Sequence, residues 1–304
     1  AGLDASKGYY QQDAAAFGRA ANEQGLPAAI CATLPENMDV ETRQFLIAEG
    51  LAPMQGIHET LNAICQAATW AQTRAYISLL MRAPLLPAGK VCMLEMLTED
   101  KGKDWLVNQG MAVPQGRVAS AEQLADIALE IGFPVALKMM SPLLAHKTEA
   151  GAVALNLNDA TAVSKAAVQM RADVTAHNPA AVADRFLIEA MSPPPLAELI
   201  VTLRSDSQFG AALVLGSGGV LVELVGDAVT LLLPSTPDDI EKALQSLRVA
   251  RFLGGFRGRP KAELSKIGAE IHTLCQAYLQ ERATIAEIEI NPLFVYSDHV
   301  CAVD

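Results

Sequence analysis

The chain has 304 residues, 51% of them hydrophobic and only 19% charged, enough apolar side chain to bury the cores of about two domains. A formal net charge of −11 repels polyphosphate surfaces, and no basic patch offsets it, so nucleic acid is excluded as a partner. No run approaches the roughly 20 apolar residues of a membrane-spanning helix, and the start AGLDASKGYYQQD lacks a signal-peptide pattern, so the expectation is a cytoplasmic protein with no membrane partner.

Cys31, Cys65, Cys92, Cys275 and Cys301 form no C-x-x-C pair and lie in apolar surroundings, which predicts reduced core thiols. His58 and His272 fall in helical patterns, and His177 lies in a polar stretch containing a proline.

Taken in chain order, an apolar strand at 28–33, a helix at 40–49, an extended stretch at 52–57 and a helix from His58 towards Met81 make an αβ pattern. It is too short for a complete doubly wound domain of about 100–150 residues, so the chain is expected to begin inside a domain. The segment RAPLLPAGK carries two prolines and a glycine and marks a linker, placed at 83–96. Helices follow at 98–109 and 120–131, strands at 134–140 and 152–157, and a helix to about Ala172. Strands at 185–190, 198–204, 211–215 and 221–233, helices at 238–247 and 262–279, and a ribbon from Ile285 complete the chain. This mixed order favours an α+β nucleotide-binding domain over a Rossmann sheet.

Three constellations carry chemistry. Lys138 ends an apolar strand, and a buried ammonium needs an anion, which suggests phosphate. The loop after it supplies His146, Lys147 and Gly151, a candidate nucleophile, a second cation and a flexible backbone position. A solvated polar loop with an incidental histidine fits the same residues. The second constellation, Gly216, Gly218 and Gly219 between two apolar strands, permits close backbone approach to a ligand but equally a plain hairpin. It is neither a P-loop nor a G-x-G-x-x-G fingerprint. In the third, strict alternation places Glu287, Glu289 and Asn291 on one strand face. A two-residue turn at Ser297-Asp298 would pair Tyr296 with His299 and set Asn291 opposite Asp304. Glu289, Asn291 and Asp304 are hard oxygen ligands suited to Mg²⁺ on nucleotide phosphates; a solvent-facing acidic edge is the competing reading, with His299 an exposed turn residue. On the strand 198–204, Glu198, Thr202 and Arg204 share a face, from which Arg204 would grip phosphate or pair with Glu198.

Together the segments "PVALKMMSPLLAHKTEAGAV", "FLIEAM", "ELIVTLRSDSQFG", "VLGSGGVLVEL", "FLGGFRGRP" and "EIEINPL…AVD" resemble, in order over 97–304, the ATP-grasp domain of the NDP-forming acyl-CoA synthetases, relatives of succinyl-CoA synthetase. Residues 1–82 look like the end of the flavodoxin-like CoA-ligase domain that precedes ATP-grasp in fused members, with the upstream CoA-binding region absent. The resemblance implies two α+β subdomains, ATP/ADP and Mg²⁺ as cofactors, and the reaction acyl-CoA + ADP + phosphate ⇌ acid + CoA + ATP. CoA and acyl substrate would bind through domains missing from this chain, in a homo- or hetero-oligomer. His146 matches the family's second phosphohistidine in the H-K-[ST]-[DE] loop. By the same resemblance Lys138 and Lys147 contact phosphate, and Glu189 to Met191 border the adenine. Gly216, Gly218 and Gly219 line the nucleotide cleft with Glu198 and Arg204 beside it, and Asn291 and Asp304 hold Mg²⁺, with Glu289 adjoining.

Two departures stand out. Ala152 replaces the second glycine of the usual pair, so a methyl group is expected to crowd phosphate, and Glu289 stands where aspartate is common. Two other readings stay open: an ATP-grasp carboxylate ligase using acyl phosphate without phosphohistidine, and a nucleotide-sensing regulatory module.

Overall fold

The computed structural model describes residues 4–34, 38–80, 95–144, 147–218, 226–255, 258 and 260–304. Most of the expected linker, together with Cys92, His146, Gly219 and the first part of the strand expected at 221–233, lies outside them. The chain divides into two compact units, Ala1–Leu85 and Leu86–Asp304. No helix among the described residues is long and apolar enough to cross a membrane.

The first unit holds α1 (Asp4–Glu23), β1 (Ala29–Ala32), α2 (Val40–Ala48), β2 (Ala52–Gln55) and α3 (Ile57–Leu80). β1 and β2 pair in parallel, Ala29 against Ala52, with α2 as the crossover. The α2 start is set by Asp39, whose carboxylate accepts from the Thr42 N–H at 2.7 Å. Ala14, Met38, Leu46 and Leu51 form its small core. α1 was not foreseen, because it presents alanines rather than an apolar stripe to that core. Cys31 and Cys65 are exposed, which corrects the expectation of buried thiols; Cys275 and Cys301 are buried as expected.

The second unit contains two antiparallel sheets. The first comprises β3 (Gly116–Ala119), β4 (Val135–Met139), β5 (Val153–Leu157) and β6 (Phe186–Ala190), in the order β3-β6-β4-β5. On one face Val135, Leu137, Met139, Phe186 and Ile188 pack with Leu124 and Ile127 of α5 (Leu124–Ile131) and Val163 and Met170 of α6 (Ala160–His177). α6 runs past Ala172, so His177 ends a helix instead of standing in a loop. β3 escaped the sequence pattern because Gly-Arg-Val-Ala has no apolar alternation; its partner β6 makes it a strand.

The second sheet comprises β7 (Ala197–Asp206), β8 (Gly210–Ser217), β9 (Ala228–Leu232), β10 (Glu287–Val295) and β11 (Val300–Ala302), in the order β11-β10-β7-β8-β9. Leu199, Val201, Leu203, Leu213, Leu215 and Ile290 lie on its core face. They pack with Ile240 and Leu244 of α7 (Pro237–Ser246), Leu253 of α8 (Ala250–Leu253) and Ile271 and Tyr278 of α9 (Leu264–Glu281). The fully buried Tyr278 keeps its phenol satisfied, within 2.9 Å of Ser205 Oγ and donating to the Ala286 carbonyl at 3.1 Å. Outward from this sheet point Glu198, Thr202 and Arg204 of β7 and Glu287 and Glu289 of β10, paired in register as Arg204 with Glu287 and Thr202 with Glu289.

Linking the two layers is α4 (Glu99–Asn108), which carries two acids, Glu99 and Asp100, in its first turn. Its Leu106, with the following Met111, belongs to the core of the five-stranded sheet, and Ala112 bridges Cys301 beside β11. Glu99 and Lys103 on the same helix reach the four-stranded sheet.

Candidate functional site

Lys138 and Glu189 occupy the face of the four-stranded sheet turned away from α5 and α6. The register sets Ala136 opposite Glu189, so Lys138, two residues on, is its diagonal neighbour. Both are almost fully buried, 3% and 2% exposed. Lys138 Nζ meets Glu99 Oε1 at 2.5 Å and Glu189 Oε2 at 3.2 Å, and donates to the Val303 carbonyl at 2.8 Å. Lys103 joins Glu99 Oε1 at 2.7 Å to Glu189 Oε1 at 2.5 Å. Lys147 bonds Glu99 Oε2 and reaches Asp304 Oδ1 at 2.6 Å. Three ammoniums and three carboxylates thus meet where the sheets face each other.

Glu99 and Lys138 are each held in the charged form by the partners around them. Burial would raise the Glu99 carboxyl, but the ammoniums of Lys138, Lys103 and Lys147 outweigh it and keep it well below the usual carboxylate range. Burial opposes the charged form of Lys138 too, and Glu99, Glu189 and Asp304 overcome it, raising its pKa. Asp304 moves the other way: burial and the Glu99 charge together raise its carboxyl against Lys138 and Lys147.

The ribbon folds as its alternation predicts. The Tyr296 N–H donates to the His299 carbonyl at 2.9 Å, and the Asn291 N–H donates to the Asp304 carbonyl at 2.9 Å, so Asn291 does lie opposite Asp304. His299 sits exposed at the turn, its ring stacked on Tyr296. A register shift between Ile290 and Leu293 turns Asn291 and Pro292 out as a bulge. Glu289 is exposed on the same side as Asn291, and among the described residues no three His, Cys, Asp or Glu side chains gather into a metal cluster. An amide and one carboxylate nonetheless suit Mg²⁺, which takes few protein ligands and draws the rest from phosphate and water.

Other expected residues fall at differing distances from this centre. Met191 lines a recess of about 430 Å³ with Pro134, Asn156, Pro193, Pro195 and Phe294, within the size range of small-ligand sites. Glu198 is half-buried on β7, directly opposite Phe294. Gly218 presses on it: a Cβ at 218 would stand 2.8 Å from Glu198 Cβ and 2.9 Å from its carbonyl oxygen. Gly216 has ordinary space, its nearest neighbour 3.5 Å from such a Cβ. Arg204 is exposed near the far end of β7, opposite Glu287, and is not drawn into the ionic cluster. Glu189, in the segment expected to border the adenine, has its carboxylate in the cluster, bonded to Lys103 and Lys138.

Ala152 is fully buried and belongs to the apolar cluster that includes Leu137. Gly151 is the demanding position: its φ is +68°, and a Cβ there would lie 2.7 Å from Asp173 Cβ. Glu99 and Lys103 were missed altogether. Their spacing of four on a helix reads as an ordinary surface ion pair, and nothing local says that the helix presses against β4 and β6.

Residues 92–304 match the ATP-grasp domain family. The chain is 32% identical to the subunit beta of acetate–CoA ligase [ADP-forming] I of Pyrococcus furiosus, over 68% of this chain and 89% of that protein. It belongs to the ATP-grasp family of the ADP-forming acyl-CoA synthetases. Among solved structures this ATP-grasp chain resembles the dinucleotide-forming acetyl-coenzyme A synthetase 1 of Candidatus Korarchaeum cryptofilum in complex with coenzyme A and Ca-AMPCP. The TM-score is 0.64 at 32% identity, covering 68% of this chain and 90% of that one. A second structure of the same synthetase, holding Mg-AMPPCP and with its phosphohistidine segment pointing towards the nucleotide-binding site, gives a TM-score of 0.58 at 30% identity over 69% of this chain and 91% of that one.

Proposed function

We propose that this chain binds ADP or ATP between its two sheets and passes a phosphoryl group between that nucleotide and His146, as the nucleotide half of acyl-CoA + ADP + phosphate ⇌ acid + CoA + ATP. The observation that carries this is the convergence of two ammoniums, Lys138 and Lys147, on the carboxylate of Asp304, opposite Asn291. Lys138 and Lys147 grip phosphate oxygens, and Asn291 and Asp304 hold Mg²⁺, with Glu289 near enough in sequence to reach its water shell. The metal, when bound, supplies charge neutralisation on the phosphates. The recess at Met191 takes the base, and Glu198 and Gly218 border the ribose side of the cleft. In this reading the work of the protein is positioning: a neutral imidazole needs only an in-line phosphoryl donor whose charge is already balanced.

The first unit, with its parallel pair and crossover helix, is the end of a CoA-ligase domain, and the segment 83–96 is the linker from it. CoA and the acyl group bind on domains or subunits outside this chain, in keeping with the beta-subunit name of the Pyrococcus relative. A cytoplasmic location belongs to the same proposal.

The test is to incubate the chain with γ-labelled ATP and Mg²⁺ and assay for acid-labile, base-stable label in wild type and His146→Ala. The proposal expects label that the substitution abolishes. Undiminished label in His146→Ala would overturn the relay. If neither is labelled, the assay is repeated with the CoA-ligase domains supplied, where continued absence of label speaks for a sensor.

A further inference from the structure

Among the described residues, Glu99 is the one carboxylate that touches all three cations of the ionic cluster. One oxygen, Oε1, lies 2.5 Å from Lys138 Nζ and 2.7 Å from Lys103 Nζ, while Oε2 bonds Lys147. A single anion presenting separate oxygens to Lys138 and Lys147 is what a nucleotide phosphate would do at the same place. Lys138 and Lys147 have their donors committed to Glu99, Glu189, Asp304 and the Val303 carbonyl, so a phosphate reaching both has to displace one of these acceptors. One carboxylate has to give way. Glu189 is 2% exposed and fixed on a strand between Lys103 and Lys138. Asp304 sits opposite Asn291, where the proposed metal would hold it. Glu99 alone has a cation of its own helix, Lys103 at i+4, to which it can turn while remaining paired. Its place in the first turn of α4 keeps the displaced carboxylate favourable, since the helix dipole stabilises negative charge there.

Resting on the nucleotide-binding reading above, we infer that Glu99 is an internal stand-in for phosphate: it holds Lys138 and Lys147 in the empty cleft, and nucleotide binding displaces it onto Lys103. The device keeps two ammoniums pre-placed without ligand, at the expense of some nucleotide affinity. Glu99 is a positioning residue in this account, acting through the two lysines.

Calorimetric titration of the chain with Mg-ADP, and separately with pyrophosphate, tests it in wild type, Glu99→Gln and Asp100→Asn. Removing the competing carboxylate is expected to tighten both ligands about tenfold, the scale of one charge-assisted hydrogen bond. Asp100→Asn removes the same charge one residue away, from a pair with Arg185 at 2.9 Å, and is expected to change affinity less than about twofold. Equal or weaker binding by Glu99→Gln overturns the inference while leaving the nucleotide reading intact, and so does equal tightening in both variants. No binding of either ligand by wild type sinks both. If Glu99→Gln does not yield folded protein, Glu99→Asp decides on the same criterion, because its shorter arm cannot bridge both lysines and it too should tighten binding.

Discussion

The two sheets of the second unit bury opposite kinds of interior. Beneath the five-stranded sheet lies an apolar core in which Leu199, Leu203, Leu213 and Tyr278 interlock, and its charged residues, Arg204, Glu287 and Glu289, look outward. The four-stranded sheet has an apolar core on one face only, and on the other it buries Lys138 and Glu189. Apolar packing would hold such a sheet at least as well as ion pairs, since desolvating charges costs about as much as their attraction returns. Charges kept there at no gain in stability are what the proposed nucleotide site accounts for, with Asn291 and Glu198 on the outward face of the partner sheet as its other wall in that proposal.

The comparison can be broken most forcefully at Lys138. Lys138→Met removes one of the two cations that Glu99 and Glu189 share, leaving Lys103 as the other, and should cost about 3–5 kcal/mol in denaturant unfolding. The matching change on the other sheet, Arg204→Ala, removes an exposed charge and should cost under about 0.5 kcal/mol. Comparable losses would mean that the two faces do not differ as described.

Acid should distinguish the sheets next. Glu99 is depressed in the folded chain from an ordinary value of 4.5, so its stabilising effect is fully present above that pH and is lost as pH falls below it. Asp304, raised on folding, acts in a different window, its cost to stability growing as pH rises above its ordinary value of 3.8. The stability gap between wild type and Glu99→Gln, about 1–3 kcal/mol at neutral pH, should accordingly narrow below pH 4.5 in urea melts. A gap independent of pH would contradict the charge balance.

A smaller effect separates two glycines of the second sheet. Gly218→Ala drives a Cβ to 2.8 Å from the Glu198 backbone and should cost about 1–3 kcal/mol, with weaker nucleotide binding as Glu198 shifts. Gly216→Ala meets only ordinary contacts and should cost less than about 1 kcal/mol. Thermal melts of the pair would rank them.

How much of this was legible beforehand follows from the range of each interaction. The pairing across the turn was readable, because period-two alternation and a two-residue turn at Ser297-Asp298 fix those partners by counting; the bulge at Asn291-Pro292 was not, since it arises in the pairing with β7. Lys138 was readable as a cation in need of an anion, since an apolar strand surrounds it in sequence. Its actual partner Glu99 was not, because 39 residues separate them and the contact arises only when α4, anchored by Leu106 and Met111 in the other core, crosses to this sheet.

The central claim is that the buried ammonium on β4 grips a phosphate. A structure of the chain with Mg-AMPPCP tests it most directly. The account predicts a phosphate oxygen about 3 Å from Lys138 Nζ, the metal on Asn291 and Asp304, and the Glu99 carboxylate on Lys103. A nucleotide bound elsewhere, with Lys138 still held between Glu99 and Glu189, would show that the cluster is a structural ion-pair network and that the site lies outside it.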